Sequence, residues 1–402
     1  MKNTWRFSGN ELNYVREVID SGFGSGTSGG MNNRFESAFA KKVGCKYAIT
    51  FNSGTSTLHA ALHALDVNAG DEVIIPPITV ISNIDVIFAQ NAIPVFADVD
   101  PDTFNIDPNE IRKKITSKTK CIMPVSIYGL SCDLDPIMEI SREYGIPVLN
   151  DAAEAFGCIY KGKKMSSIAD ITSFSTENSK HITTGDGGIV VTNNEKYAML
   201  MRKFGSLGYA SMQSSEGRIR IINKDDFQDP AYKRHDDIGL NYRMPEVAAA
   251  LGLAQTEKLE YFINLRISIA NLYKEAIQGC EYMVPQFTPE GLNNTYWTFA
   301  VKFLHKDIAW QEFRKKYMEF GGDGIYACWA LTYDETVVSS GMYKKHNPSI
   351  YEHLSFEKGL CPNAEVIQPQ IMQFVTNYAS VEEAKPFADA LKKTIDFFGN
   401  SV

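Results

Sequence analysis

The sequence has 402 residues, of which 44% are hydrophobic and 22% are charged, and its formal net charge is −8. This composition is typical of a globular protein with more than one domain, because a single domain usually holds roughly 100–200 residues. The acidic balance and the lack of a basic block argue against a nucleic-acid or anionic-membrane partner.

The cysteine and histidine content bears on compartment and metal binding. The seven cysteines form no Cys-x-x-Cys pair, and their odd number favours free thiols in a reducing cytoplasm. The N-terminal residues lack the apolar core of a signal peptide, and no apolar stretch reaches the roughly 18 residues of a membrane span. His59 and His63 lie on a predicted helix, but without a third ligand they do not indicate a metal site. We therefore expect a cytoplasmic protein without a metal.

From about residue 46 the sequence alternates between short apolar runs and helix-like stretches. The runs KYAIT, EVIIP, IPVFAD, KCIMPVSI and IPVLND predict strands. The segments STLHAALHAL, SNIDVIFAQN, DPNEIRKKI and DLDPIMEISREYG predict helices. This alternation predicts an α/β fold with a mainly parallel sheet and helices on both faces.

Beyond residue 170 the pattern changes. ITSFST and GGIVVTN predict two strands joined by a polar loop, and EKYAMLMRKFGSLG predicts a helix. Residues 208–236 are polar and irregular, which indicates an insertion outside the core. From MPEVAAALGLAQ onward the sequence is strongly helical, with a strand in TYWTFAVKF and a last helix in SVEEAKPFADALKKTIDFF. We predict a large domain over residues 1–250 and a smaller C-terminal α+β domain over residues 251–402.

The segment FNSGTSTLHAAL contains the first candidate ligand-binding group. Ligands of open parallel sheets bind at the carboxyl ends of strands, and a strand is predicted to end near Thr50. Gly54 permits a tight turn, and Thr55 and Ser56 open a helix whose N–H groups and dipole could bind a phosphate. The same residues also suit an ordinary N-cap, so both interpretations stay open.

Two carboxylates follow the predicted strand in VLNDAAEAFG. A buried carboxylate is costly unless it is paired, so Asp151 could stabilise the cationic nitrogen of a pyridinium ring. Alternatively, Asp151 could cap the following helix. Glu154 could contact an oxygen of such a ring or a water molecule.

Lys180 lies in the loop between two predicted strands, in SFSTENSKHITTGDGGIVVT. A lone loop lysine is usually a solvated charge, but the small, polar and glycine neighbours here suit a closely bound ligand. A lysine desolvated beside a cationic group becomes a nucleophile. Ser175 could reach a phosphate on the same ligand. Asn241, in DDIGLNYRMPEVAAALG, precedes an Ala-rich helix and could be a local turn former.

The order of these segments resembles that of the DegT/DnrJ/EryC1/StrS family of sugar-nucleotide aminotransferases, a branch of the fold-type I pyridoxal-phosphate enzymes. SGTSTLHAAL resembles the phosphate segment of the family, DAAEAFG its pyridine-nitrogen segment and SKHITTGDGG its lysine segment. GLNYRMPEVAAALG resembles the stretch that reaches into the active site of a neighbouring subunit. The resemblance runs from about residue 8 to about residue 260 and thins in the C-terminal third.

The resemblance implies roles by position. Lys180 would form a Schiff base with pyridoxal 5′-phosphate and shuttle protons, Asp151 would pair with the pyridine nitrogen, and Glu154 would lie near the cofactor. The remaining residues on the phosphate side would be Gly54, Thr55, Ser56 and Ser175, together with Asn241 of the partner subunit. A site shared in this way implies an obligate homodimer.

One position departs from the family pattern. The segment IIPPITVIS matches the stretch from which an aromatic side chain usually stacks on the cofactor ring, and Val80 stands at that position. A valine would cover one face of the ring by apolar packing. It would lack the stacking geometry, which is worth about 0.5–1.5 kcal/mol.

The reaction that the resemblance implies is the transfer of an amino group from glutamate to a nucleotide-linked keto-sugar, for surface polysaccharide or glycan biosynthesis. Family members that are 3-dehydratases carry histidine in place of the lysine, so the register of Lys180 and its neighbour His181 matters. Lys180 has the placement of the family's lysine, which favours transamination. A non-catalytic cofactor-binding regulator is a distant alternative, because no helix-turn-helix segment or basic extension is visible.

Several substrate contacts stay open. Arg218 and Arg220 of the insertion could clamp a diphosphate, since arginine suits bidentate phosphate recognition, or they could belong to a solvated loop. His181 is either a substrate contact or a structural residue. The aromatic segment GIYACWALTYDE could line the pocket or belong to the core. The sequence does not determine the sugar, the nucleotide or whether C3 or C4 is aminated. It also does not determine whether the amino donor is glutamate or glutamine.

Overall fold

The computed structural model describes residues 4–24, 30–217, 225 and 228–399. The helices in these ranges are α1 (Glu11–Asp20), α2 (Met31–Val43), α3 (Gly54–Ala64), α4 (Ser82–Ala89), α5 (Pro108–Lys114), α6 (Leu134–Tyr144), α7 (Glu195–Phe204), α8 (Glu246–Glu257), α9 (Leu259–Ala276), α10 (Trp310–Glu319), α11 (Thr336–Ser339), α12 (Pro348–Tyr351), α13 (Pro362–Ile367) and α14 (Val381–Phe398). The strands are β1 (Tyr47–Phe51), β2 (Glu72–Ile75), β3 (Ile93–Phe96), β4 (Thr119–Ile122), β5 (Leu149–Asp151), β6 (Ile159–Tyr160), β7 (Lys163–Lys164), β8 (Ile171–Ser175), β9 (Gly188–Thr192), β10 (Met283–Pro285), β11 (Thr298–Phe303), β12 (Tyr326–Ala327) and β13 (Ile371–Val375).

Seven strands follow one another across the main sheet in the order β3-β2-β4-β5-β8-β9-β1. Two parallel bridges, between Ile122 and Val148 and between Val125 and Asp151, join the β4 side to the β5 side. The β2–β3, β2–β4 and β5–β8 pairs are parallel, whereas β9 runs antiparallel to both β8 and β1. The predicted α/β fold with a mainly parallel sheet is therefore confirmed.

Helices cover the main sheet on both faces. Because side chains alternate between the two faces of a strand, one strand contributes to an apolar core on each side. In β2, for example, Val73 and Ile75 belong to one apolar core and Ile74 belongs to the other. The first core contains side chains of α3, α4 and α7, and the second contains side chains of α2, α6 and α8. In the described part of the chain, no helix is both long and apolar enough to cross a membrane.

The C-terminal part forms a second, antiparallel sheet in the order β10-β11-β13-β12. Side chains of α9, α10 and α14 share a third apolar core with this sheet. Helix α9 contributes Phe262 to the second core and Tyr273 to the third, so a single helix enters both. The boundary near residue 250 falls inside α8, which packs against α1 and α2. The division at that residue stays a prediction.

A buried ion pair fixes the strand that leads into α3. Arg202 of α7 donates from its two terminal nitrogens to Glu36 of α2, over 3.1 and 3.0 Å. Thr50 of β1 donates its N–H and its hydroxyl to the same carboxylate, each over 2.9 Å. Because β1 ends one residue after Thr50, this network anchors the end of that strand.

We predict that Arg202→Ala lowers the free energy of unfolding by about 3–5 kcal/mol, because the buried Glu36 carboxylate loses its cation. Urea denaturation at a fixed protein concentration measures this loss. Arg34→Ala is the control, since Arg34 pairs with Glu17 at the surface and exposed pairs contribute about 0–1 kcal/mol. Equal losses for the two variants would contradict a stabilising role of the buried network.

Candidate active site

A cavity of about 430 Å³ lies where β5 and β8 end and α3 begins. This volume is within the usual range of small-molecule sites. The predicted site residues that line it are Gly54, Thr55, Val80, Asp151, Ser175 and Lys180. The structure therefore brings together segments that are separated by more than a hundred residues of sequence.

The side chain of Lys180 is largely buried, with 12% of it exposed. Its Nζ lies 3.2 Å from Oε1 of Glu154 and 4.3 Å from the centroid of the Trp297 ring. A carboxylate and an aromatic face both attract a cation. The amine of Lys180 is thus held by contacts with Glu154 and Trp297 at the wall of the cavity and is not a solvated surface charge.

Glu154 is buried directly behind Lys180. Its second oxygen, Oε2, accepts a hydrogen bond of 3.0 Å from the backbone N–H of Tyr128. Tyr128 has a φ of 59°, in the left-handed region that non-glycine residues rarely adopt. Burial raises the pKa of the Glu154 carboxyl, and the positive charge of Lys180 opposes that rise. Glu154 therefore binds the amine of Lys180 and also the backbone N–H of Tyr128, a residue in a strained conformation.

Asp151 ends β5 with a fully buried carboxylate. Its Oδ1 accepts from the N–H of Ala153, and its Oδ2 accepts from Nδ2 of Asn83, each over 3.0 Å. Asn83 in turn accepts a hydrogen bond of 2.9 Å from the hydroxyl of Thr79. Burial raises the pKa of Asp151, while these hydrogen bonds and the charge of Lys180 lower it. One oxygen of Asp151 binds the local backbone, but turns follow it and not the helix that the capping interpretation required. The side chain lines the cavity, and its contact with a pyridine nitrogen stays a prediction.

Sequence reasoning missed Asn83, which orients Asp151. It lies on α4 within the apolar run SNIDVIFA and is completely buried. An asparagine on the buried face of a helix needs a polar partner, and that was the one available signal. The partner could not be named from sequence, because Asp151 lies on a different strand.

The N-terminus of α3 is capped by Ser53. The hydroxyl of Ser53 accepts from the N–H of Ser56, and the hydroxyl of Ser56 accepts from the N–H of Ser53, which is a capping box. Ser56 is buried by this arrangement, and its amide and hydroxyl are both engaged. For Ser56 the capping interpretation is therefore favoured over the predicted phosphate contact. Thr55 keeps its place at the cavity and donates to the hydroxyl of Ser82 over 3.0 Å.

Gly54 is needed for a different reason from the one expected. It is the first residue of α3, and its φ does not lie in the left-handed region, so no tight turn requires glycine there. A Cβ at this position would lie only 2.8 Å from Cβ of Ser175. The absence of a side chain thus allows α3 to approach β8, which brings Ser175 to the end of the helix.

His181 does not line the cavity, although it was a candidate substrate contact. Its ring is fully buried, and Nε2 lies 3.0 Å from the backbone oxygen of Thr295. Burial, assisted by the charge of Arg266, lowers the pKa of His181 well below its usual value. The structural interpretation of His181 is therefore favoured.

Asn241, another predicted contact, lies away from the cavity of its own chain. Asn241 is exposed and pairs through its backbone with Ser206, so a role in the site of a partner subunit stays a prediction. Arg218 and Arg220 lie outside the described residues.

The two histidines of α3 contact other residues. Nδ1 of His59 lies 3.0 Å from the hydroxyl of Tyr242, and Nε2 of His63 lies 3.3 Å from Asp237. Burial, followed by the charge of His63, lowers the pKa of His59 to about 4. Over the described ranges, no group of three or more His, Cys, Asp or Glu side chains could hold a metal ion.

Two tryptophans complete the cavity and were not assigned from the sequence. Nε1 of Trp297 donates to the backbone oxygen of Ser179 over 3.0 Å, and its ring lies 6.1 Å from that of Trp329. Trp329 belongs to the segment GIYACWALTYDE, so this segment contributes to the pocket. Its neighbours Cys328 and Leu331 are buried in the first core, so the segment also serves that core.

We predict that Asp151→Asn raises the free energy of unfolding of the ligand-free protein at pH 8. Folding raises the pKa of this carboxyl, so its charged form costs stability above the folded pKa, and the cost disappears as the pH falls below the unfolded value. The advantage of the variant should therefore shrink between pH 8 and pH 4, as measured by urea denaturation. Asp135→Asn is the control, because Asp135 is an exposed partner of Lys161 and its pKa is lowered. An advantage of Asp151→Asn that is absent, or that does not change with pH, would contradict this account.

Known proteins resemble this chain in sequence and in fold. The sequence model of the DegT/DnrJ/EryC1/StrS aminotransferase family matches residues 6–374. A GDP-perosamine synthase of Caulobacter vibrioides is 37% identical over 300 residues, which cover 74% of this chain and 75% of that protein. A GDP-perosamine synthase of Vibrio cholerae is 32% identical over 347 residues, or 86% of each protein. The solved structure of an aminotransferase from Psychrobacter cryohalolentis has a TM-score of 0.83 and 29% identity, and covers 96% of each chain. This chain belongs to the DegT/DnrJ/EryC1/StrS aminotransferase family.

Proposed function

We propose that this protein is a pyridoxal-phosphate-dependent aminotransferase that moves an amino group from glutamate to a nucleotide-linked keto-sugar. One observation carries the proposal: the amine of Lys180, the carboxylate of Asp151 and the N-terminus of α3 meet at one cavity. Membership in an aminotransferase family gives that combination its chemical meaning.

The residues of the cavity fit pyridoxal 5′-phosphate. The N-terminus of α3 offers N–H groups and a positive dipole end to a phosphate, and the hydroxyls of Thr55 and Ser175 lie on the same side. The buried carboxylate of Asp151 is complementary to a protonated ring nitrogen, since a nearby cation would stabilise its charge. Lys180 supplies the amine for covalent attachment. Bound in this way, the cofactor would supply an electron sink for the amino-acid carbanion.

Lys180 and its neighbours would carry the proton transfers. The Nζ of Lys180 would move a proton from the α-carbon of the donor to C4′ of the cofactor, and from C4′ to the sugar carbon in the second half-reaction, a type of catalysis worth about 10²–10⁴-fold in rate. Glu154 holds that nitrogen at 3.2 Å, and the ring of Trp297 lies over it and limits the approach of water. The carboxylate of Asp151 would keep the ring nitrogen of the cofactor protonated.

We further propose a cytoplasmic homodimer with shared sites. Asn241 is exposed and lies outside the cavity of its own chain, which suits the predicted contact with the cofactor phosphate of the partner subunit. All seven cysteines are free, which suits a reducing compartment.

The nucleotide of the substrate is proposed to be GDP. Three relatives that are 32–37% identical to this chain bear the name GDP-perosamine synthase, and each match covers more than two thirds of both proteins. The aminated product would then be a GDP-linked amino sugar for glycan or surface polysaccharide assembly.

Dehydration is the alternative within the same family, and the positions of Lys180 and His181 bear on it. Lys180 lines the cavity, whereas His181 is fully buried outside the cavity lining. A lysine at the cavity suits transamination. A purely regulatory, non-catalytic role is disfavoured by the match of residues 6–374 to an aminotransferase family.

We predict that Lys180→Ala abolishes the borohydride-reducible link between protein and cofactor and lowers transamination by at least about 10²–10⁴-fold. Mass spectrometry of reduced, digested protein locates the link, and an absorbance assay with glutamate alone measures conversion of the cofactor to its aminated form. Lys203→Ala is the control, because Lys203 pairs with Asp236 away from the cavity. A reducible link that persists in Lys180→Ala would contradict the assignment of Lys180 as the lysine that binds the cofactor.

We predict that the wild-type enzyme with glutamate aminates a GDP-linked keto-sugar in preference to its UDP- and dTDP-linked counterparts. Product mass reports whether nitrogen was transferred, and fragmentation or NMR distinguishes C3 from C4. Glutamine in place of glutamate tests the donor. Turnover only with UDP- or dTDP-linked sugars would overturn the choice of nucleotide, and loss of water without gain of nitrogen would favour the dehydratase.

A further inference from the structure

Arg6 binds the main chain of the loop that carries Lys180. One of its terminal nitrogens donates to the backbone oxygen of Asn178 over 2.5 Å. The other donates to the backbone oxygens of Lys180 over 2.7 Å and of His181 over 3.0 Å. An arginine near the N-terminus therefore contacts three residues of the lysine loop.

Arg266 of α9 reaches the same loop from the other side. One terminal nitrogen donates to the backbone oxygens of Ser179 and Lys180, over 3.1 and 3.3 Å. The other donates to the backbone oxygen of Trp297 over 2.7 Å and to the hydroxyl of Thr376 over 3.0 Å. Two guanidinium groups thus meet at one carbonyl oxygen, that of Lys180. One of them also fixes the backbone of the tryptophan whose ring covers the lysine amine.

Both guanidinium groups are buried without a salt-bridge partner. Arg6 and Arg266 are 0% and 3% exposed, and neither forms an ion pair with any residue that the structure describes. Burial lowers the pKa of Arg266 to about 9 and that of Arg6 to about 10, although the charge of Glu177 opposes the shift of Arg6. An unpaired buried cation costs several kcal/mol. Packing alone does not account for two such costs at one loop.

We propose that Arg6 and Arg266 are positioning residues for Lys180. They fix the carbonyl oxygens of the loop and thereby hold the lysine amine between Glu154 and Trp297. This inference rests on the proposed function, because the exact position of the amine matters when it attaches a cofactor and transfers protons.

The shape of the guanidinium group is essential to this role. Its planar fork reaches two groups of acceptors at once, whereas a lysine ammonium is a point charge that cannot span them. Arg266→Lys and Arg6→Lys therefore keep the charge and lose the simultaneous contacts. Arg202→Lys is the matched control, because Arg202 is also buried and forked, but it binds Glu36 outside the cavity.

The first experiment measures the amine of Lys180 in cofactor-free protein. Each variant is reductively methylated, and the labelling of Lys180 is quantified by peptide mass spectrometry relative to the exposed Lys118. We expect several-fold faster labelling of Lys180 in Arg266→Lys and Arg6→Lys, and an unchanged rate in Arg202→Lys. Circular dichroism identifies the variants that fold, and either loop variant suffices for the test. Unchanged labelling in a folded loop variant, or an equal increase in Arg202→Lys, would overturn the proposal.

The second experiment uses the holoenzyme. Displacing a reacting group by about 1 Å can cost ~10²-fold in rate, so we expect kcat of Arg266→Lys to fall at least about tenfold. KM for the keto-sugar should stay within about twofold, because Arg266 does not line the cavity of Lys180 and its guanidinium group binds main-chain oxygens. An unchanged kcat would count against positioning. If the wild-type protein transfers no amino group to any keto-sugar, the proposed function fails, while the labelling result still decides the role of the two arginines.

Discussion

The site depends on the buried contact between the amine of Lys180 and the carboxylate of Glu154. The two residues come from loops that follow different strands, so their contact ties β8 to β5 at the edge where the cavity opens. The second oxygen of Glu154 holds the N–H of Tyr128, which adopts a left-handed backbone conformation. Removal of either ion would leave the other buried and unpaired, a change that commonly costs about 3–5 kcal/mol.

The charge of Lys180 affects two carboxylates, but only Glu154 contacts its amine, and their surroundings give the two carboxylates different tasks. Asp151 is held by Asn83 and the backbone of Ala153, and it faces the cavity. Glu154 is held by Tyr128 and faces the lysine. Burial raises the pKa of both groups, so their charged forms carry an electrostatic cost in the folded protein. A ligand with a cationic ring and an anionic tail would offset that cost. The buried carboxylates that suit such a ligand therefore lower the stability of the protein without it, so function and stability oppose each other here.

The strands of the main sheet could be predicted from local patterns, whereas the roles expected of Lys180, Asp151 and Ser175 came from the resemblance to the family. Apolar runs mark the strands, and Lys180, Asp151 and Ser175 each stand at or just after a strand end, where parallel sheets place their ligands. Asn83 and Trp297 could not be predicted, because their roles arise from contacts between segments distant in sequence. The run NSGTST was ambiguous for a different reason. It holds several hydroxyls within one helical turn, and only the observed cap separates Ser53 and Ser56 from Thr55.

The cap on α3 has a consequence for how an anion meets the site. Because Ser53 and Ser56 satisfy each other before any ligand arrives, the first turn of the helix is already ordered. Binding then requires little loss of conformational freedom from the protein, and most of the attraction to a phosphate is retained as affinity. The helix end is therefore a rigid receptor for the anion.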